Sequence, residues 1–242
     1  MSPPRADWRF GLITLATLAG MVTTASLGRW QLSRASEKEA LQAGIEARQQ
    51  LAVLGAAELL ATPEADRMHR RVQLRGRWLA ERTVFLDNRQ MNGQPGFYVL
   101  TPLQLQEGGA WLLVQRGWVP RNFVDRNALP RVDTPAGEVA LQGRIAPAPS
   151  KLYAFEGAEQ GVIRQNLALD AFRAETRLPL LDQTVVQTGP PSEGLLRQWP
   201  EPASGVEKHY GYAFQWFGLS GLMAILYVWF QIVRRFLFPP RA

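Results

Sequence analysis

Apolar residues gather at the two ends of this chain, while apolar and polar positions alternate through its middle. Residues 10–27 form a run of eighteen without a charge, and residues 213–233 form a second run of twenty-one. A helix that rises about 1.5 Å per residue needs roughly 20 residues to cross the hydrocarbon of a bilayer. Aromatic residues border the second run, where amphipathic rings prefer the headgroup layer. The pattern predicts two transmembrane helices, over residues 10–28 and 210–233.

The first run also has features of a cleavable signal peptide, because Arg5 and Arg9 precede it. Its apolar stretch is longer than the roughly 7–15 residues of a signal core. Small residues recur at every fourth position of the run: Ala16, Gly20, Thr24 and Gly28. That spacing puts them on one helical face, where a second helix can approach closely. We therefore expect a retained anchor.

The middle of the chain predicts a helix, then short strands. Residues 36–60 have helical spacing, and Pro63 follows them. Strands are predicted over 72–78, 83–86, 97–101, 111–115, 139–145, 162–165 and 185–188, with a short helix over 169–176. Turn pairs such as Asn92-Gly93 and Pro95-Gly96 separate them. The expected fold class is a membrane-anchored α+β protein, in which two transmembrane helices flank an outer domain with a mainly antiparallel β-sheet or small barrel.

Basic residues indicate the orientation. They flank the outer ends of both runs: Arg5, Arg9, Arg234, Arg235 and Arg241. Because cytoplasmic flanks carry the excess of Lys and Arg, we place both termini, 1–9 and 234–242, in the cytoplasm. Residues 29–208 then form a periplasmic domain of a multi-pass protein in a bacterial inner membrane. The absence of cysteine is compatible with that oxidising compartment.

Composition excludes several kinds of chemistry. With no cysteine and only His69 and His209, the chain has no thiolate nucleophile and no multi-histidine metal centre. Its 27 Lys and Arg residues, against 21 Asp and Glu, are scattered rather than interleaved with aromatics, so no nucleic acid is expected. A hydrolase would need one of the two histidines as its base. Asp66 lies three residues before His69, but no nucleophile motif is near, and we expect both to be exposed polar residues.

Five segments carry a family resemblance: Gly28-Arg-Trp-Gln-Leu32, Gly76-Arg-Trp78, Asp87-Asn-Arg89 with Gly93 and Gly96-Phe-Tyr-Val-Leu-Thr-Pro-Leu103, Val114-Gln-Arg-Gly-Trp-Val-Pro120, and His209-Tyr-Gly-Tyr-Ala-Phe-Gln-Trp-Phe217. With these segments in this order, the chain resembles the Surfeit locus protein 1 family of cytochrome c oxidase assembly factors. Gln115 stands where that family often has asparagine. The match runs from about Gly28 to Phe217.

The resemblance implies a membrane factor without enzymatic activity, which delivers or stabilises haem a during insertion into the catalytic subunit of a haem–copper oxidase. It implies that subunit, haem a synthase and membrane lipid as partners. Its expected cofactor-binding residues here are His209, Tyr212 and Trp216, with His209 as the ligand of the haem iron. There is no catalytic residue in this prediction.

The residues around His209 allow two interpretations. On a helix, one stripe contains His209, Tyr212, Ala213, Trp216 and Ser220. A neutral imidazole is a good axial ligand for haem iron. A small side chain at Ala213 would leave room for a flat macrocycle, and Lys208, Arg29 or Arg34 would meet its propionates. Alternatively, His209 is an interfacial histidine that bonds to water or helix-end carbonyls.

Two arginines suggest a second function. Arg89 and Arg116 lie near the ends of successive predicted strands, where their guanidinium groups would clamp a carboxylate or an acidic partner loop. The alternative is turn chemistry, with an arginine stem that covers Trp118. On the clamp hypothesis, the protein is a cofactor-free membrane scaffold that holds an oxidase assembly intermediate.

Overall fold

The computed structural model describes residues 8–122, 129–149, 161–200 and 205–237. The chain divides into two units. The helical unit comprises residues 1–44 and 202–242, and the barrel unit comprises residues 45–201. Most of the expected cytoplasmic termini, at 1–7 and 238–242, lies outside the described residues.

Two long helices form the helical unit. Helix α1 spans Trp8–Gln50, and helix α5 spans Val206–Tyr227 and continues as a π-helical segment over Val228–Leu237. Both are long and apolar enough to cross a membrane, and 6% and 0% of their most apolar windows are buried. Helix α1 continues past the predicted boundary at residue 28, because residues 33–50 are mostly strong helix formers such as Ala, Glu and Gln.

The two helices pack antiparallel to each other. Three contacts run along the pair: Thr14 Oγ1 with the Tyr227 hydroxyl at 2.8 Å, Gly20 with Met223, and Gly28 with Phe217. Partner numbers fall along α5 as they rise along α1, which defines the direction. Gly28 lies under the Phe217 ring, where an added Cβ would be 2.8 Å from the nearest ring carbon. Gly20 and Gly28 thus lie on the face that the second helix contacts, as their spacing predicts, and Thr24 between them is buried, whereas Ala16 is exposed.

The described part of the barrel unit contains seven strands and three short helices. The strands are β1 (Arg71–Trp78), β2 (Val84–Met91), β3 (Gln94–Leu105), β4 (Trp111–Pro120), β5 (Glu138–Ala146), β6 (Ile163–Arg164) and β7 (Leu180–Gln187). The helices are α2 (Ala56–Ala61), α3 (Glu64–Arg67) and α4 (Leu169–Thr176). A single 3-10 turn covers Ala80–Arg82.

Five of these strands close into a ring. Their order is β1-β5-β7-β4-β3, and β3 pairs back to β1. The long strand β3 makes this possible because one of its edges changes partner: residues 94–100 pair with β2, and residues 103–105 pair with β1. The β2 and β6 strands extend the sheet beyond the ring. The mainly antiparallel barrel is therefore confirmed, although β4–β7 and β2–β6 are parallel pairs.

The β2–β3 hairpin departs from the expected loop. Asn92 and Gly93, with φ of 52° and 76°, make the whole turn, as two-residue hairpins require. Pro95 and Gly96 are not a turn but lie within β3. Gly96 is needed there because an added Cβ would overlap the Val119 carbonyl oxygen and the Trp118 ring.

The core has three clusters, and their positions explain which strands are buried. One fills the barrel, with Val72, Leu103 and Val185 among its members. The other two cover opposite faces of the β2–β3–β4 region, one of them beneath Phe172 of α4. Strands β3 and β4 are therefore buried almost throughout, whereas residues of β1 alternate between exposed and buried.

Candidate functional site

His209 lies in the first turns of α5 and contacts α1. The helix begins after Gly205, which has a φ of 63°, and both Val206 and Ala213 are buried. This packing turns His209 toward α1, where its Nδ1 lies 2.7 Å from Oε1 of Gln31. The ring is half-buried. Gln31 belongs to the Gly28–Leu32 segment, but nothing in the sequence pattern pairs it with a residue 178 positions away.

The Gln31 contact selects one form of the imidazole. An amide oxygen only accepts, so Nδ1 carries the hydrogen and donates it to Gln31. The neutral ring then has its lone pair on Nε2, which makes no hydrogen bond within the described residues. Histidines that bind metals in proteins almost always donate their other ring N–H to an oxygen, which orients the ring and raises its basicity. The contact with Gln31 gives His209 an orientation that a metal ligand could use.

The other expected site residues lie near this stripe of α5. Tyr212 is half exposed and Trp216 is partly buried, one and two turns after His209. Ala213 is 2% exposed because it packs in the helix pair, so the space beside it is already filled. Any room for a macrocycle is therefore on the exposed side of His209 and Tyr212 rather than over Ala213.

The nearby cations differ in their partners. Arg34 already pairs with Glu37 at 2.6 Å, and Tyr210 donates its hydroxyl hydrogen to Glu39 at 2.8 Å. Arg29 and Lys208 are exposed and make no ion pair within the described residues. These two are the better candidates to meet an anionic group beside His209. No group of three His, Asp or Glu side chains in the described part of the chain could hold a metal ion on its own.

Arg116 does bind a carboxylate, but one from its own chain. Its side chain is fully buried, and its Nη2 lies 2.8 Å from Oε2 of Glu193. It also donates to Thr134 and to the carbonyl of Asp133. Arg197, which is 3% exposed, approaches the same Glu193 carboxylate at 3.5 Å. The guanidinium of Arg116 is therefore committed to an internal network.

The location of Arg116 also differs from the expected one. It stands at a bulge in β4, between the Val99–Gly117 and Leu100–Gln115 pairs, and its guanidinium carbon lies 4.8 Å from the centre of the Trp78 ring. The aromatic ring that its guanidinium covers is thus that of Trp78. Glu193 and Arg197 were missed at the sequence level because both lie in a loop without periodicity.

Arg89 is buried as well and belongs to β2, which β3 separates from β4. It donates to the carbonyl of Gln165 at 2.9 Å and lies over the Tyr98 ring. Its own carbonyl accepts the indole hydrogen of Trp118. Arg89 and Arg116 therefore do not form one exposed clamp.

His69 and Asp66 show no acid–base geometry. Asp66 is exposed in α3, and His69 follows in the left-handed region with a φ of 66°. Burial lowers the pKa of His69, and the charges of Arg144 and Arg48 lower it further. Its Nδ1 has no hydrogen-bond partner among the described residues, which is a structural cost rather than a catalytic arrangement.

Together these features define a class: a protein with two long apolar helices, one near each end of the chain, and a small β-barrel unit between them in sequence. Its described residues include one oriented imidazole and no catalytic cluster. The chain belongs to the SURF1 family, the Surfeit locus protein 1 family, whose model matches residues 18–221. The match covers the whole barrel unit and the parts of the two long helices next to it in sequence.

Individual relatives agree with this assignment. The chain is 27% identical to a SURF1-like protein of Rickettsia felis, over 90% of this chain and 94% of that protein. It is 27% identical to a SURF1-like protein of Monosiga brevicollis, over 93% of this chain and 90% of that one. It is also 30% identical to the cytochrome oxidase assembly protein SHY1 of Saccharomyces cerevisiae, over 40% of this chain and 25% of that protein.

Proposed function

We propose that this protein is an assembly factor for a haem–copper cytochrome c oxidase, and that it delivers or stabilises haem a during insertion into the catalytic subunit. Family membership and the similarity to a yeast cytochrome oxidase assembly protein support the assembly role. The catalytic subunit is then its main partner, and haem a synthase is the source from which it receives haem.

The observation that carries the haem part of the proposal is the hydrogen bond between His209 and Gln31. It fits a haem because Nδ1 is already used and Nε2 is left to bind iron. His209 would hold the iron, Tyr212 and Trp216 would flank the macrocycle, and Arg29 and Lys208 would meet the propionates. Haem a supplies the redox-active iron, and the protein supplies orientation. One axial ligand without a second suits a carrier that must release its cargo.

We place the protein in a bacterial inner membrane. Two observations support this: each helix has an apolar window long enough to span the bilayer, and those windows are almost entirely exposed. A helix can face lipid because all of its backbone hydrogen bonds are internal. The arginines beside the outer ends of both runs support a topology with the two termini in the cytoplasm and the barrel unit in the periplasm.

Absorption spectroscopy tests this function directly. The full chain is purified in mild detergent from cells that make haem a, together with His209→Ala and Gln31→Leu variants. We expect stoichiometric haem with a histidine-ligated spectrum in the wild type, and at least a tenfold loss of haem in His209→Ala. Gln31→Leu should retain the ligand but lower haem affinity about 10–100-fold, as the loss of such outer partners does at metal sites.

The other histidine is the matched control. His69→Asn removes an imidazole from the barrel unit and keeps a residue type that tolerates a positive φ, so its haem content should match that of the wild type. A stable, colourless wild-type protein from the same cells would contradict haem delivery. Normal oxidase maturation in the His209→Ala strain would do the same, and the cofactor-free scaffold would then be the better explanation.

A further inference from the structure

One face of the barrel unit is left uncovered. On β1, exposed and buried residues alternate. The exposed residues of β1 lie opposite Glu138, Ala140 and Gln142 of β5, which are exposed as well, and opposite Arg144, which is half-buried. From one end to the other, the facing pairs are Arg71 with Arg144, Gln73 with Gln142, Arg75 with Ala140, and Arg77 with Glu138. We call these eight residues the β1/β5 face. Strands β3 and β4 of the same sheet are buried almost throughout, so this face stands out as open.

The β1/β5 face has a net positive charge. It has four arginines and one glutamate, and none of the four arginines makes an ion pair within the described residues. Arg71 lies directly opposite Arg144, and like charges in that position destabilise a sheet. This pair of arginines therefore does not stabilise the fold. An anionic group between the two guanidiniums would convert the repulsion into attraction.

Two concavities flank the face. The first, of about 380 Å³, lies between β1 and the start of α2, and Arg75 and Glu58 are among its lining residues. The second, of about 330 Å³, lies on the β5–β7 side and is lined by Gln142, Gln187 and Arg197. Gln73 lines both and forms the ridge between them.

The second concavity contains an unsatisfied polar group. Gln187 is 8% exposed, and its side-chain oxygen has no hydrogen-bond partner in the described part of the chain. A buried acceptor of this kind costs free energy unless a donor reaches it. Glutamine side chains also line the ridge and the far wall, and amides both donate and accept, as a polypeptide backbone does.

We propose that the β1/β5 face binds an acidic segment of a protein partner. Its carboxylates would meet Arg71, Arg144 and Arg75, and a polar donor of the segment would enter the second concavity and reach Gln187. A polypeptide suits this surface better than a bilayer does, because two concavities on either side of a ridge accept side chains, whereas headgroups form a flat layer. The surface belongs to the barrel unit, so this proposal does not depend on haem binding at His209.

The first test measures binding of a defined acidic probe. A fluorescein-labelled ten-residue peptide of alternating Glu and Ser is titrated against the full chain in nanodiscs of zwitterionic phosphatidylcholine. We expect saturable binding that weakens about fivefold in Arg71→Gln/Arg144→Gln and to a smaller extent in Arg75→Gln. The matched control is Arg82→Gln/Arg131→Gln, which removes two exposed arginines elsewhere on the barrel unit and should leave affinity unchanged. Equal affinity in the wild type and the Arg71/Arg144 variant would overturn the proposal.

A second test identifies the natural occupant. A photoreactive benzoylphenylalanine replaces Gln73 on the ridge, and the full chain is irradiated in its native cells. We expect adducts with a protein segment in which Asp and Glu outnumber Lys and Arg, and their loss in the Arg71→Gln/Arg144→Gln background. Adducts with lipid alone, together with protection of Arg71 from phenylglyoxal when anionic phosphatidylglycerol is added to the nanodiscs, would assign the face to the membrane surface and overturn the proposal.

Discussion

The helical unit exposes its apolar side chains, whereas the barrel unit buries charged ones. Only 6% and 0% of the apolar windows of the two long helices are buried. In the barrel unit, by contrast, Arg116 and Arg197 are enclosed with Glu193. Each unit is consistent with a different solvent. Helices in lipid need only their internal hydrogen bonds, while a charge enclosed in a barrel must find every partner inside the chain.

The surroundings of two glycines also differ between the helical unit and the barrel unit. In the helical unit, an added Cβ at Gly28 would meet the tip of the Phe217 ring, a side chain that is 40% exposed. In the barrel unit, an added Cβ at Gly96 would overlap a backbone carbonyl of β4. A ring can rotate away, but a strand held by its ladder cannot. The helical pair should therefore tolerate changes that the barrel does not.

The largest expected effect comes from the enclosed charges. Glu193→Gln keeps the shape of the side chain and removes its charge, which leaves two buried guanidiniums without a counter-ion. We expect the free energy of unfolding of the barrel unit to fall by about 3 kcal/mol. Denaturant titration of the full chain in detergent measures it. Glu138→Gln, on the exposed side of β5, is the control and should change stability by less than about 0.5 kcal/mol. Equal stability of both variants would show that the network is not needed.

The next effect tests the glycine contrast. Gly96→Ala should lower the free energy of unfolding by about 2 kcal/mol, since overpacking against backbone forces the two strands apart. Gly137→Ala is the matched control, because an added Cβ there has no atom within 4 Å. The same denaturant titration compares the two variants. If Gly96→Ala is as stable as Gly137→Ala, the β3–β4 contact is looser than described.

The helix pair provides a third and smaller effect. Because the chain lacks cysteine, a pair introduced as Gly20→Cys and Met223→Cys reports on helix contact by its rate of disulfide formation. Adding Gly28→Ile should slow that rate severalfold, since the branched side chain meets the Phe217 ring. Phe217→Ala should restore it. The control pair is Gly11→Cys with Met223→Cys, and rapid crosslinking there would contradict the contact of Gly20 with Met223.

The local sequence pattern also predicts the helices more completely than it predicts the barrel. The charge-free runs predict both long helices, and helix α4 was predicted with the bounds it has, Leu169–Thr176. The parallel pairing of β4 with β7 was not predicted, because Trp111 and Leu180 are far apart in sequence and periodicity carries no information on pairing. The apolar run from residue 10 and the helical spacing from residue 36 were predicted as separate segments. In the structure both belong to α1, which ends at Gln50, and the rest of the predicted 36–60 helix contains a break before α2.

The candidate site shows the same limit. His209 was singled out from its motif and its position before the second apolar run. Its partner Gln31 was not, since the contact exists only after the two ends of the chain pack together. Arg116 was identified too, but its ion pair with Glu193 was not predicted. The bulge that contains Arg116 and the loop that carries Glu193 have no periodicity in the sequence.

The smallest expected effect is a pH dependence in the barrel unit. The hydrogen bond from Arg164, at 2.6 Å, lowers the pKa of Glu175 below its ordinary 4.5, and burial opposes this only in part. The folded chain therefore binds this proton less readily than the unfolded chain does. The resulting stability is fully present above pH 4.5 and is lost as the pH falls through the folded-state pKa. Glu175→Gln should lower the melting temperature by a few degrees at pH 7, and the difference from the wild type should shrink in acid. A difference that stays constant from pH 7 down to pH 3 would mean that Arg164 holds Glu175 by shape rather than by charge.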